Sequence, residues 1–141
     1  MNLSRWFIAS VIAGVAIILC ALGLIPIVGN EMNEVLLNHG LPPLSTLAMV
    51  YFPLVSLAMG FVLIWLFIVF NDRYQNFFIG VLVSATLVWF LAYFLANVSM
   101  VIYGFMPVKL TVIGTVWGLL ELWVAGFLGG RFYLAGNPTA Q

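Results

Sequence analysis

Long apolar runs along this chain are separated by short polar breaks. Four stretches, 6–28, 44–70, 77–108 and 110–130, are uncharged or nearly so. Each reaches the roughly 20 residues that a helix rising about 1.5 Å per residue needs to cross ~30 Å of hydrocarbon. None alternates apolar and polar positions as strands of a membrane barrel do. Asn71-Asp72-Arg73-Tyr74-Gln75-Asn76 marks a tight turn. Tyr103-Gly104-Phe105-Met106-Pro107 marks another, with Pro107 suited to a first helical turn. With these breaks removed, the predicted spans are approximately 6–28, 45–70, 77–103 and 108–130. The second and third runs exceed a membrane thickness, which predicts tilt or extension into the interface. Gly129-Gly130-Arg131 closes the fourth run, and Asn137-Pro138-Thr139-Ala140-Gln141 is a short polar tail. The pattern predicts an all-α integral membrane protein, four transmembrane helices in an up-down-up-down bundle forming one domain over 1–141.

The first loop, 29–43, is the one sizeable connection. Asn30 there has the chemistry of a helix cap, with Glu31 and Glu34 in the first turn, where the helix dipole favours acids. Met32, Val35 and Leu36 share a face, His39 falls in the last turn, and Gly40 followed by Pro42-Pro43 stops the run. This predicts a short amphipathic helix lying on the membrane surface.

Charge then sets orientation. Arg5, Arg73 and Arg131 fall at one end of the four-span arrangement and Lys109 at the other. The excess of basic residues on the cytoplasmic side predicts cytoplasmic N- and C-termini in the cell (inner) membrane. Only 6% of the residues are charged, against about a quarter in soluble domains, so most of the surface must face lipid. No Lys/Arg cluster exists to hold nucleic acid. The first run is too long for a signal-peptide core and lacks a small-residue cleavage site.

Glu121, in the middle of the fourth run, is the informative residue. An ionisable group at membrane depth is costly and faces the protein interior or a water-filled cavity. At 100° per residue, Gly114, Gly118, Glu121, Ala125 and Gly129 fall within an arc of about 80°. Gly114-x-x-x-Gly118 is a small-x-x-x-small pattern that lets another helix come close. Glu121 then has two readings: a proton or cation relay, or a carboxylic acid kept neutral by desolvation that donates one hydrogen bond as glue between helices. Counting back from the short third loop places it level with 86–93, so Thr86 and Tyr93 are its candidate partners. Asn97 and Ser56 are further polar groups at depth, expected to bond between helices. Pro53 frees the carbonyl of Met49 and predicts a kink in the second helix.

Helix one carries a stripe of Ala9, Ala13, Ala16, Cys20 and Gly23, expected to serve an internal helix contact more than a dimer seam. Cys20, the single cysteine, allows no intrachain disulfide and reads as a packing residue. Glu31, Glu34 and His39 are weak candidates for a metal site, and His39 for an axial cofactor ligand. No cofactor is expected. No phosphate-binding, dinucleotide, zinc-protease or nucleophile-elbow pattern is present.

Trp117-Gly118-Leu119-Leu120-Glu121, followed by Gly126 and Gly129-Gly130-Arg131-Phe132-Tyr133, resembles the last helix of a family of small bacterial four-helix membrane proteins. The Gly40–Pro43 turn is similar too. That resemblance implies the four-helix architecture and carries no assigned activity. The expected role is a non-enzymatic structural or accessory membrane protein, self-associating or joined to other membrane subunits. A small oligomeric transporter or channel using Glu121 is the first alternative, and a metal- or cofactor-holding protein the second.

Overall fold

Backbone groups inside a bilayer have no water to bond, so apolar runs of this length satisfy them within helices. The computed structural model describes residues 2–42 and 46–136, and four helices account for nearly all of them. They are α1 (Leu3–Asn38), α2 (Thr46–Tyr74), α3 (Phe77–Ile102) and α4 (Val108–Ala135). All four are long and apolar enough to cross a membrane, which makes this a multi-pass membrane protein. The polar tail 137–141 and part of the first loop, 43–45, lie outside the described residues.

The predicted surface helix in the first loop is corrected. Its residues are helical, but as the unbroken continuation of α1, which runs 36 residues through Pro26, Gly29 and Asn30. Asn30 caps nothing, and Glu31 and Glu34 lie far from the helix start. Gly29 costs a helix interior only about 1 kcal/mol, too little to break it. The extension is also held from outside, by an ion pair of 2.6 Å between Glu31 and Lys109 of α4. α1 ends where the sequence predicts. Gly40 adopts φ +71°, its N–H bonds to Leu37 O, and that of Leu41 bonds back to Leu36 O. At the other end, Asn2 caps α1 by accepting the Arg5 N–H.

The α2–α3 turn is as tight as its polar run suggests. Gln75 takes the left-handed conformation, and the Asn76 side chain accepts the Ile79 N–H to start α3. The end of the bundle bearing this turn, Asn2 and Gly136 is called the near end below; the opposite end is the far end.

Packing differs sharply between the two halves. In the near half, Ala9, Ala13 and Ile17 of α1 meet Leu63, Ile64 and Phe67 of α2, Val81 and Ala85 of α3, and Leu122 and Ala125 of α4. The helix-one stripe is thus internal here, while Gly23 is exposed farther along. Gly60 crosses α1 so closely that a Cβ would sit 2.5 Å from Ser10 O and Gly14 N. In the far half, no residue of α3 from Phe90 to Ile102 is buried. That segment stays on α4 while its contact with α2 falls away.

The change coincides with a feature absent from the sequence pattern. Phe90–Phe94 form one π-helical turn, and the Leu95 N–H bonds to Phe90 O, five residues back. A π turn holds one extra residue and re-phases everything after it. The inward face of α3 therefore passes from Val88 to Tyr93 and then to Asn97, in steps of five and four.

Candidate functional site

Glu121 lies at the middle of the 28-residue α4 and is only 4% exposed. The π turn brings Tyr93 to it from α3, and the phenol hydroxyl donates to Glu121 Oε1. The ring of Tyr93 lies across Gly118, one turn from Glu121, where a Cβ would come within 2.5 Å of the ring. Gly118 is therefore the seat of this aromatic ring more than a helix–helix contact point. Thr86, the other candidate partner, is exposed among Leu82, Val83, Leu87 and Phe90. The buried residues Ser84, Ala85 and Val88 set the phase of α3 and turn Thr86 outward.

The remaining polar groups nearby are committed elsewhere. Asn97 Nδ2 donates to Thr115 Oγ1 at 2.8 Å, and that hydroxyl donates to Thr111 O. Trp89 Nε1 donates to Thr115 O, tying α3 to α4 a second time. Trp117 Nε1 donates across to Cys20 O on α1 at 3.0 Å. Ser56 donates to Phe52 O within α2, one turn away and beside Pro53. Such back-bonding bends helices, and here it leaves the hydroxyl engaged with its own backbone.

The far-half separation of α2 and α3 opens a cavity of about 450 Å³ at this level. All four helices contribute to its wall: Ile17 and Ala21 from α1, Phe52 and Met59 from α2, Tyr93 and Asn97 from α3, Trp117 and Glu121 from α4. Gly114 also faces it, and a Cβ added there would meet nothing within 4 Å. So the predicted small face of α4 divides: Ala125 and Gly129 pack against the near-half core, whereas Gly114 borders open space. A larger groove of about 770 Å³ runs toward the far end between α1 and α2. It shares Ala21 and Phe52 with the cavity, so the two spaces adjoin.

The candidates of the first loop are not brought together. Glu31 pairs with Lys109, and His39 Nδ1 lies 2.7 Å from Val35 O at the end of its own helix. Glu34 is exposed. Among the described residues, no group of three or more His, Cys, Asp or Glu could hold a metal.

No protein-family model, curated protein or solved structure matches this chain. Chemically, the site is a carboxyl group held by one phenol at the inner end of an apolar space. Such a site can bind and orient a molecule by one polar end while its apolar body fills the rest.

Proposed function

We propose that this is a non-enzymatic accessory membrane protein that holds a small amphiphilic molecule in the far half of its bundle. One observation carries the reading: the buried carboxyl of Glu121, held by Tyr93, borders a cavity of about 450 Å³ with otherwise largely apolar walls. Pockets of this kind bind through apolar contact and take orientation from a few placed polar groups. Catalysis is disfavoured by what surrounds the carboxyl. The Ser56 hydroxyl, the one aliphatic hydroxyl in the wall among the described residues, donates to Phe52 O of its own helix.

The distribution of Arg5, Arg73 and Arg131 supports cytoplasmic termini in the cell (inner) membrane, so the cavity lies toward the external side. Self-association or attachment to other membrane subunits would use the outward faces, because the Ala9–Ala13 contact of α1 is spent inside the bundle.

A second reading, transport with Glu121 as carrier, is favoured by the mid-membrane position of the carboxyl. It requires the layer formed by Leu63, Leu122 and Ala125, each fully buried, to open toward the cytoplasm.

A thermal-shift screen of amphiphiles in lipid nanodiscs tests the first reading. Some should stabilise the protein, and Gly114→Phe, which projects a ring into the cavity, should remove that stabilisation. Equal shifts in both proteins, or none in either, would contradict it.

A further inference from the structure

Among the described residues, the carboxyl at the cavity has no countercharge within the bundle. Of the four Lys and Arg side chains, Lys109 is paired with Glu31, Arg131 lies over Phe77 and Phe127, Arg5 lies against Gly136, and Arg73 is at the near-end turn. None of the four is placed near the middle of α4. The neutral donors are engaged as well: Ser56 with Phe52 O, Asn97 with Thr115, and Trp117 with Cys20 O. Tyr93 alone, among the described residues, donates to Glu121. Once ionised, a carboxyl in a low-dielectric site attracts a positive charge far more strongly than it would in water.

What kind of charge fits is set by the walls. Ca²⁺ and Mg²⁺ need about six or more oxygen ligands or keep their own waters, and Zn²⁺ takes about four ligands. This cavity offers one carboxyl among Phe52, Met59 and Ala21. An organic cation needs no such shell. A quaternary ammonium spreads its charge over its carbon substituents, and a protonated amine can place its N–H on the carboxyl. In both, the apolar body gains from burial and aromatic rings attract the charge. Phe52, Tyr93 and Trp117 all line this space.

We infer that the cavity takes a lipophilic organic monocation, an amine or quaternary ammonium with an apolar body, with Glu121 as its counter-ion. The inference rests on the ligand-binding reading above and adds the charge of the ligand. Entry is from the membrane, through the groove between α1 and α2 that shares Ala21 and Phe52 with the cavity.

Tetraphenylphosphonium and tetraphenylborate have the same shape and opposite charge, which makes them a decisive pair of probes. Binding of each to the full chain in nanodiscs is measured by Trp fluorescence, with empty nanodiscs correcting for partition into lipid. The phosphonium should bind saturably, one per chain, and the borate should not. Glu121→Gln should weaken phosphonium binding at least tenfold while keeping the elution volume and helical content of the parent. Glu121→Asp, which retains the charge, should keep the preference for the cation. Unchanged phosphonium affinity in Glu121→Gln, or no saturable phosphonium binding, would overturn the inference. If both probes bind equally and Gly114→Phe removes both, the cavity reading stands and the cation inference falls.

Discussion

The hydroxyl of Tyr93 donates to the carboxyl of Glu121, joining side chains 28 positions apart on neighbouring helices. Two local features make the contact possible. The π turn at Phe90–Phe94 rotates Tyr93 inward, and the bare backbone of Gly118 leaves room for its ring. Removing either feature should weaken the contact without touching the two residues themselves.

The bond has a measurable strength. Interhelical hydrogen bonds in bilayers average about 0.6 kcal/mol and reach about 2. A double-mutant cycle with Tyr93→Phe and Glu121→Ala should give a coupling in that range. Glu121→Gln keeps an acceptor for the phenol, so its loss of stability should stay under about 1 kcal/mol, with Glu121→Ala the more costly change. Reversible unfolding in mixed micelles measures the four proteins of the cycle and Glu121→Gln.

Two glycines one turn apart should respond in opposite ways. A Cβ at Gly118 collides with the Tyr93 ring, and overpacking of this kind costs about 1–3 kcal/mol. A Cβ at Gly114 meets nothing within 4 Å, and alanine favours a helix over glycine by about 1 kcal/mol. Gly118→Ala should therefore destabilise, while Gly114→Ala should be neutral or stabilising. The same unfolding assay reads both.

Lys109 and Glu31 are 69% and 47% exposed, so their pair contributes at most about 1 kcal/mol. Its effect should be local. Lys109→Ala should leave global stability almost unchanged while speeding amide hydrogen exchange in the last two turns of α1, and added salt should reproduce part of that change in the parent protein.

Orientation can be read with reporter fusions. Fusions after Arg73 and after the last residue should behave as cytoplasmic, and one at Asn33 as external. An external reporter at the C-terminus with a cytoplasmic one at the N-terminus would contradict the even number of spans.

The helical spans can be read in the sequence because hydrocarbon leaves the backbone few alternatives, and the Gly40 stop because a positive φ favours glycine. Glu121 stands out as the one acid inside a span. Counting from the short third loop places it level with 86–93, but the choice between Thr86 and Tyr93 depends on helical phase. The π turn re-phases α3 beyond Phe90 with no proline or glycine to announce it. Gly114 shows a similar limit. The small-x-x-x-small pattern marks where a neighbour can approach, yet whether one does depends on how far α2 and α3 separate. In the first loop, Asn30 and its acids have the chemistry of a helix start. Nothing before them ends α1, and the partner that steadies Glu31 lies 78 positions away.

The proposed function places a bound molecule in the far half of the bundle, against Glu121 and Tyr93. Native mass spectrometry of the protein extracted in mild detergent tests it most directly. The parent chain should carry a small molecule in one-to-one ratio, and Gly114→Phe, folded and of the same oligomeric state, should lack it. A parent protein with no adduct, or the same adduct at the same occupancy on Gly114→Phe, would contradict the claim.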